Sequence, residues 1–360
     1  MKDFFSKIKE DIAARVAKAT GMAVIPEMVT SPPDPKLGDF TLACFPFAKM
    51  MKISPGEVAA KIHAALKPWG AVARIELAGP YINFWLDQNR AAAALLKEIE
   101  KAGKSYGALG IGKKKKVMVE FACPNTHKAF HIGHLRNIVT GESIVRIMEN
   151  AGYKVIRTNY QGDVGMHIAK CLWGVRQRAD EYARVKKESL ASRIQFLGKA
   201  YAFGAQAFEE DAAAKADIQA INEKIYSGDR DMREVYQTTR RWSLKYFDAI
   251  YKRVGSRFDR LYFESEVFED GVKIVKKFLK KGVFEESEGA VVFPGEKYGL
   301  HRRVFLNSKG LPTYEAKDTA LAHFQFKEYG PRQIIHVVGK EQMEYFKVVF
   351  KALETVLPKS

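Results

Sequence analysis

Cysteine is scarce in this chain, and no long hydrophobic run occurs. The three cysteines, Cys44, Cys123 and Cys171, stand far apart and form no C-x-x-C pair, which argues against a disulfide framework and a cysteine-rich zinc site. No apolar run approaches the ~20 residues that a membrane-spanning helix requires. The stretch MKDFFSKIKEDIAARVAK carries acidic residues within its apolar stripe, unlike a signal peptide. These absences predict a cytoplasmic protein without a membrane partner.

Acidic residues are too few to balance the basic ones. Among 360 residues, 59 Lys and Arg stand against 42 Asp and Glu, which gives a formal net charge of +17. Basic side chains on a phosphate surface release condensed counterions and thereby bind it. The charge balance therefore favours a nucleic acid as partner, and the length predicts two or three domains.

Residues 1–105 have the pattern of a small α+β domain. Phe4, Ile8, Ile12 and Val16 recur every four residues and predict an amphipathic helix. The stretch SPGEVAAKIHAAL (54–66) opens with a capping-box signature and a proline at the first helical position. ARIELAG and YINFWL predict two strands joined at a Gly-Pro pair. The glycine-rich and then basic stretch 107–116 is predicted to be a linker.

The pattern after this linker is typical of a doubly wound α/β domain. The run VMVEFA (117–122) predicts a strand that is buried on both faces of a parallel sheet. A proline-containing loop then leads into a helix from about His134 to Asn150, and YKVIRTN (153–159) predicts the next strand. This order of strand, loop, helix and strand indicates a parallel sheet with helical crossovers.

Later segments complete the predicted fold. Charged helical sequence dominates from about residue 176, strand patterns return at 258–266 and 289–307, and HVVG (336–339) predicts a last strand before a helix. We therefore expect the sheet to be interrupted by a mostly helical insertion. The predicted divisions are 115–175 for the first half of the α/β domain, 176–288 for the insertion and 289–360 for the second half.

Two histidines flank a glycine where the first buried strand gives way to its helix. A parallel strand delivers its loop to the carboxyl edge of the sheet, where ligands bind in such folds. The following helix presents free N–H groups and its positive dipole end at the same place. We expect Gly133 to let a phosphate approach the backbone, and His131 and His134 to donate hydrogen bonds to phosphate oxygens. A single such donor typically contributes ~3 kcal/mol to transition-state stabilisation.

The quartet HIGH (131–134) resembles the signature of class I aminoacyl-tRNA synthetases, and its surroundings resemble the arginyl-tRNA synthetase family. The stretch VEFACPNTHKAFHIGHLR (119–136) is similar to that family's strand and loop before the same quartet. GLPTYEAKDTALA (310–322) is similar to its T-Y-x-x-x-D helix, and HVVGKEQMEYFKVVFKAL (336–353) to its strand-loop-helix that carries a glutamine. LGDF (37–40) and the helix after it resemble the family's N-terminal tRNA-contacting domain. The resemblance covers essentially the whole chain.

This resemblance implies a class I, Rossmann-like catalytic domain and a two-step reaction. Arginine and ATP would give arginyl-AMP and pyrophosphate, and the arginyl group would then pass to the 3′ end of tRNA(Arg). His131, Gly133 and His134 would contact the ATP phosphates, and Lys128 would add a cation near them. Mg²⁺ is expected with the ATP.

The resemblance also assigns five residues to the amino-acid pocket: Glu120, Asn125, Tyr314, Asp318 and Gln342. A guanidinium is planar and always charged, so its pocket should supply carboxylates and neutral acceptors. Asp318 follows Tyr314 by one helical turn and lies on the same face, so we assign both to the guanidinium. We expect Asn125 and Gln342 at the α-amino end, while Glu120 could serve either end.

The chain departs from the family pattern in several places. Cys123 stands where serine is usual and offers a weaker donor, His127 replaces a small residue near the expected phosphates, and Glu341 precedes Gln342. No Lys-Met-Ser-Lys-Ser loop and no C-terminal anticodon-binding domain occur before Ser360. We therefore expect a fragment that is weakly active or inactive alone.

Other functions are compatible with parts of the sequence. A class I enzyme for lysine would need a similar acidic pocket, and only the family resemblance separates it. A tRNA-binding protein without catalysis would use the basic charge and the N-terminal domain. An adenylyltransferase that makes a dinucleotide cofactor shares H-x-G-H but leaves the acidic pocket and the helical insertion unexplained.

Overall fold

A computed structural model describes residues 4–357 in two compact units, Met1–Ile111 and Gly112–Ser360. The first and last three residues lie outside the described part, so the predicted amino-terminal helix is compared from Phe4 and the predicted second half of the α/β domain (289–360) only to Leu357. No helix within residues 4–357 is long and apolar enough to cross a membrane.

The first unit packs helices on one antiparallel sheet. Its strands run in the order β1-β2-β4-β3, and the helix and strand predictions for this region are confirmed to within a few residues. Ser54 accepts from the N–H of Glu57, and Glu57 accepts from the N–H of Ser54, which is the predicted capping box. The elements are α1 (Phe4–Thr20), β1 (Val29–Thr30), β2 (Phe40–Ala43), α2 (Phe45–Met51), α3 (Pro55–Ala65), β3 (Val72–Ala78), β4 (Tyr81–Leu86) and α4 (Gln88–Ala102).

A parallel sheet forms the centre of the second unit. Its strands β5 (Lys116–Glu120), β6 (Lys154–Gln161), β7 (Arg260–Phe263) and β11 (Gln333–His336) lie in the order β11-β5-β6-β7. The chain winds outward from β5 in one direction through β6 to β7, and β11 adds on the other side. The carboxyl ends of β5 and β11 therefore border the crevice where ligands bind in doubly wound folds.

The structure differs from the sequence prediction at two boundaries in this unit, one of a strand and one of the helical insertion. The last strand was expected at 336–339, but β11 ends at His336, because Gln333–His336 pair with Val117–Glu120. Residues 260–263 fall inside the predicted helical insertion, yet they form β7 and pair in parallel with β6. The predicted insertion is therefore too long at its carboxyl end, and the other divisions of the α/β domain remain predictions.

Helices fill the segments between these strands. Glycines allow α6 and α8 to pack closely: a Cβ on Gly174 would lie 2.1 Å from the carbonyl oxygen of Ala200, and one on Gly204 would lie 2.0 Å from that of Lys170. The helices are α5 (Ile132–Asn150), α6 (Met166–Gln177), α7 (Ala179–Val185), α8 (Leu190–Glu210), α9 (Ala212–Ser227), α10 (Arg230–Arg253), α11 (Glu264–Leu279), α12 (Tyr314–Tyr329) and α13 (Met343–Val356).

A small antiparallel sheet precedes α12. Its strands β8 (Glu285–Ser287), β9 (Ala290–Phe293) and β10 (Arg303–Leu306) lie in the order β10-β9-β8. Phe284, Phe293 and Phe305 are fully buried and pack with apolar residues of α11, α12 and α13. This core fixes α12, and with it the Tyr314–Asp318 segment, beside the parallel sheet.

Candidate functional site

The loop between β5 and α5 is held in a demanding backbone conformation. Ala122, Cys123 and His127 all have positive φ, at 73°, 43° and 62°, although side chains other than glycine rarely adopt it. Asparagine side chains anchor the loop: the N–H of Ala122 donates to Asn137 Oδ1 at 2.6 Å, and that of Cys123 donates to Asn159 Oδ1 at 3.1 Å. The surrounding structure therefore fixes where the loop delivers its side chains.

His131 and His134 meet at the N-terminus of α5. Their rings stack with centroids 3.8 Å apart. His131 Nδ1 accepts the N–H of Gly133 at 3.1 Å, and His134 Nδ1 accepts the N–H of His131 at 3.3 Å. Because each ring accepts at Nδ1, its proton lies on Nε2. Both rings can therefore donate from Nε2 to a ligand at the helix start.

The pKa of His134 is lowered to about 4, chiefly by burial and also by the neighbouring His131 and Lys128. His134 is therefore neutral at pH 7 and acts as a hydrogen-bond donor rather than a cation. Lys128 supplies the charge at this end of the site. Its ammonium lies over the Tyr201 ring, 5.0 Å from the centroid, and forms no ion pair within residues 4–357.

Position 133 requires glycine for a different geometric reason from the one expected. A Cβ at this position would lie 2.9 Å from His131 Cε1 and 3.0 Å from His131 Nδ1. The space beside Gly133 is therefore occupied by the His131 ring rather than open to a ligand. Glycine allows the ring to fold back over its own helix turn, which brings it against His134.

His127 is packed into the core, contrary to the expectation that it lies near the predicted phosphate site. It is buried, its Nε2 lies 2.7 Å from Thr239 Oγ1 and its Nδ1 lies 3.0 Å from Thr126 Oγ1. The pKa of His127 is lowered to about 3, chiefly by burial and also by His167 and Arg240. The neutral ring joins the loop to α10, where the N–H of His127 also donates to Ser243 Oγ at 3.0 Å.

Glu120, the last residue of β5, has a partner on each carboxylate oxygen. Gln325 Nε2 of α12 donates to Oε2 at 2.6 Å, and His336 Nδ1 of β11 lies 2.8 Å from Oε1. Glu120 is 6% exposed. A buried carboxylate is tolerated only when it is paired and hydrogen-bonded, and both conditions are met here.

Asp318 of α12 lies near Glu120 but has a different environment. It accepts from the Tyr345 hydroxyl of α13 at 2.5 Å. The pKa of Asp318 is raised to about 7, chiefly by burial and also by the charge of Glu120, against the hydrogen bond from Tyr345. A cation that entered beside Asp318 would stabilise the ionised carboxylate.

Tyr314 begins α12 and is half exposed, with Lys317 Nζ 4.6 Å from its ring centroid. Lys317 donates to Glu264 Oε2 at 2.6 Å, and both members of this ion pair are buried. The pKa of Glu264 is raised to about 6, because burial outweighs the opposing effect of Lys317. Tyr314 thus borders the acidic side chains rather than lying among them.

Asn125 and Gln342 differ in how far the structure brings them to the site. Asn125 approaches Gly162 in the loop after β6 so closely that a Cβ on Gly162 would lie 2.1 Å from Asn125 Oδ1. Gln342 is exposed, and its Oε1 accepts the N–H of Gly339 in its own turn at 3.2 Å. The contacts of Gln342 therefore do not join it to Glu120 or Asp318.

Sequence reasoning did not identify several polar residues of the pocket. His336, Gln325 and Tyr345 contact the two carboxylates, and the buried Tyr160 hydroxyl and Gln325 Oε1 have no hydrogen-bond partner within residues 4–357. The only available signal was periodicity, since Gln325 lies seven residues after Asp318 on α12. His336 and Tyr345 reach the site through sheet and helix packing, which no local pattern encodes.

Two family models match the chain. The model described as "tRNA synthetases class I (R), catalytic domain" matches residues 96–357, and "Arginyl tRNA synthetase N terminal domain" matches residues 6–86. Curated proteins from Treponema denticola and Clostridium beijerinckii, both named arginine--tRNA ligase, are 33% and 32% identical to it. Each alignment covers 98% of this chain and 61% of the relative, so the chain spans about three fifths of their length.

Solved structures give the same result for the fold. Thermus thermophilus arginyl-tRNA synthetase is 27% identical, with a TM-score of 0.56 over 90% of this chain and 53% of the other. Plasmodium falciparum arginyl-tRNA synthetase has a TM-score of 0.61 over 98% of this chain and 62% of the other. At 19% identity, the second likeness concerns the fold alone.

Proposed function

Because the chain belongs to the arginyl-tRNA synthetase family, we propose that it activates L-arginine with ATP to arginyl-AMP and transfers the arginyl group to tRNA(Arg). One observation carries the proposal. Two stacked histidines that accept backbone N–H groups at Nδ1 stand at the start of α5, and the strand before α5 ends at Glu120, whose charge helps to raise the pKa of Asp318. A phosphate site beside a cation pocket is the arrangement that adenylation of arginine requires.

At the phosphate end, His131, His134 and Lys128 would bind ATP. The Nε2–H groups of both histidines would donate to phosphate oxygens, and their positions are fixed before the reaction by the Nδ1 hydrogen bonds. Donors that are fixed in advance stabilise the charge that grows at the α-phosphorus as the arginine carboxylate attacks. The Lys128 ammonium would stabilise the negative charge that develops on the leaving pyrophosphate.

At the amino-acid end, Asp318 would pair with the guanidinium and Tyr314 would border it. Gln325 Oε1 and the Tyr160 hydroxyl would supply neutral hydrogen-bond partners that the protein itself leaves unused. Asn125, held against Gly162, would position the α-amino group, and Gln342 would join it there by turning its exposed side chain inward. Glu120 would act on the pocket through its effect on the ionisation of Asp318.

Mg²⁺ does not fit a resident site made by the protein. Across residues 4–357, no three His, Cys, Asp or Glu side chains cluster as metal ligands. Mg²⁺ keeps several waters and prefers substrate phosphates, so it would enter with ATP as part of the substrate. The cytoplasm as the place of the reaction stays a prediction, and the first unit would contact the tRNA.

The test is ATP–pyrophosphate exchange with each of the twenty amino acids, with and without tRNA(Arg). We expect exchange that only arginine stimulates. Stimulation by lysine would favour a lysine enzyme of the same class. Binding of tRNA without any exchange, under conditions where arginine and ATP are saturating, would favour a non-catalytic tRNA-binding role. Transfer of labelled arginine to tRNA(Arg) tests the second step.

A further inference from the structure

We propose that His336 is a positioning residue that gives the two pocket carboxylates different roles: its imidazolium neutralises Glu120 and leaves Asp318 for the guanidinium of the substrate. This inference rests on the proposed function and names the residue that sets how the pocket distributes its charge. His336 would not contact arginine itself. It would act through Glu120 and, electrostatically, on Asp318.

The sheet places His336 beside Glu120. His336 and Glu120 are register partners of the parallel strands β11 and β5, so their side chains emerge on the same face. His336 Nδ1 lies 2.8 Å from one carboxylate oxygen, and Gln325 Nε2 lies 2.6 Å from the other. Both oxygens of Glu120 are thus engaged, whereas among residues 4–357 the hydrogen-bond partner of the Asp318 carboxylate is the Tyr345 hydroxyl. Asp318 therefore retains free acceptor positions for a planar donor.

The groups that face His336 define the charge of the pocket. The centroids of the uncharged Phe346 and Phe350 rings of α13 lie 5.1 and 5.7 Å from the centroid of the His336 ring. Burial raises the pKa of Tyr160, Tyr345 and Cys123 well above their ordinary values, so these groups remain neutral. Glu120 and Asp318 act on His336 directly, and the titratable and charged groups that interact with these two carboxylates are Cys123, Tyr160, Tyr345 and the Glu264–Lys317 pair.

The charges of this set match one guanidinium. Three carboxylates, Glu120, Asp318 and Glu264, stand against two cations, Lys317 and protonated His336, which leaves one negative charge. A neutral residue at 336 would leave two. The additional negative charge would favour the protonated form of Asp318, because like charges disfavour ionisation of a neighbouring carboxyl.

The sign of the pH dependence follows from these charges. Burial lowers the pKa of His336, but Glu120 and Asp318 outweigh it and raise the pKa above its usual value. Burial raises the pKa of Asp318 to about 7, so protons compete with arginine below that pH. Arginine affinity should therefore rise with pH, with a midpoint near pH 7, and become constant at higher pH. Removal of the His336 charge should move this midpoint to higher pH.

Calorimetric titration of the protein with L-arginine from pH 5.5 to 9 tests the proposal. His336→Asn keeps an N–H that can reach Glu120 but has no charge. We expect its midpoint about one pH unit above that of the unchanged protein, the usual size of a close charge effect. Gln325→Met is the matched control, because it removes a neutral hydrogen bond from the same carboxylate. It should weaken arginine binding by a similar factor at every pH without moving the midpoint.

The same midpoint in His336→Asn and the unchanged protein would overturn the inference. If His336→Asn does not fold, the unchanged protein provides the test. Arginine binding at pH 6 should release about one proton. The number of protons released is obtained by measuring the binding enthalpy in buffers of different ionisation enthalpy. Release of no proton at that pH would also overturn it. Absence of arginine binding at every pH would instead refute the proposed function.

Discussion

The imidazole rings of His131 and His134 stack with their centroids 3.8 Å apart, and each accepts a backbone N–H at Nδ1. The two rings thus cap the helix with one nitrogen and keep the other for a ligand. Capping and the proposed catalytic role are therefore separable in this pair, since they would use different atoms of the same side chains.

Replacement of His134 should reduce catalysis with little effect on arginine binding. His134→Ala removes one donor, and we expect arginine-dependent ATP–pyrophosphate exchange to fall about 100-fold, the typical effect of one lost donor. His134→Gln should recover the capping hydrogen bond, because glutamine serves at this position of a capping box, but not the rate. His323→Ala, which changes an exposed histidine of α12, is the control. Full exchange activity in His134→Ala would contradict the assigned role.

Loss of the Asp318 charge should weaken arginine binding and leave ATP binding intact. Asp318→Asn keeps the shape of the side chain but cannot neutralise a guanidinium. We expect arginine affinity to fall about 100-fold, since truncation of one partner of a buried charge pair typically costs about 3 kcal/mol. Calorimetric titrations with arginine and with ATP measure both effects. Asp270→Asn, at an exposed ion pair with Lys273, should change neither, and equal arginine affinity in both variants would refute the assignment.

A methyl group on Gly162 should displace Asn125. The new Cβ would lie 2.1 Å from Asn125 Oδ1, so the amide must move by about an ångström, a displacement that can lower kcat/KM about 100-fold. We expect Gly162→Ala to lose exchange activity while its thermal unfolding temperature falls only slightly. Gly56→Ala, where no atom lies within 4 Å of the new Cβ, should retain activity. Retained activity in Gly162→Ala would exclude a role for Asn125 at its present position.

Two glycines of α8 should respond oppositely to alanine. A Cβ on Gly204 would lie 2.0 Å from the carbonyl oxygen of Lys170, whereas one on Gly198 meets nothing within 4 Å. Gly204→Ala must separate α6 from α8 and should destabilise the chain by about 3 kcal/mol. Gly198→Ala should stabilise it by up to about 1 kcal/mol through helix propensity. Urea unfolding followed by circular dichroism compares them, and equal midpoints would show that α6 and α8 are not in close contact.

The elements of the site were predictable where the signal is local. The buried run of β5, the helix after HIGH and the capping box of Ser54 and Glu57 were read from adjacent residues, and the structure contains all three. The strand β11 was predicted three residues too late, because HVVG is as apolar as a strand although Gln333–His336 make the pairing. The strand β7 was recognised as a strand but assigned to the helical insertion.

The sequence by itself determined that two histidines and a glycine stand where a buried strand passes into a helix, because that information lies within about fifteen neighbouring residues. Only the tertiary structure decided which groups surround the carboxylates. Glu120 and His336 are 216 residues apart in the chain yet 2.8 Å apart in space, and His127 lies in the core against α10. Hydrophobic periodicity specifies which face of a strand or helix is buried, but not which distant residue lies opposite, since that depends on how the whole sheet is ordered.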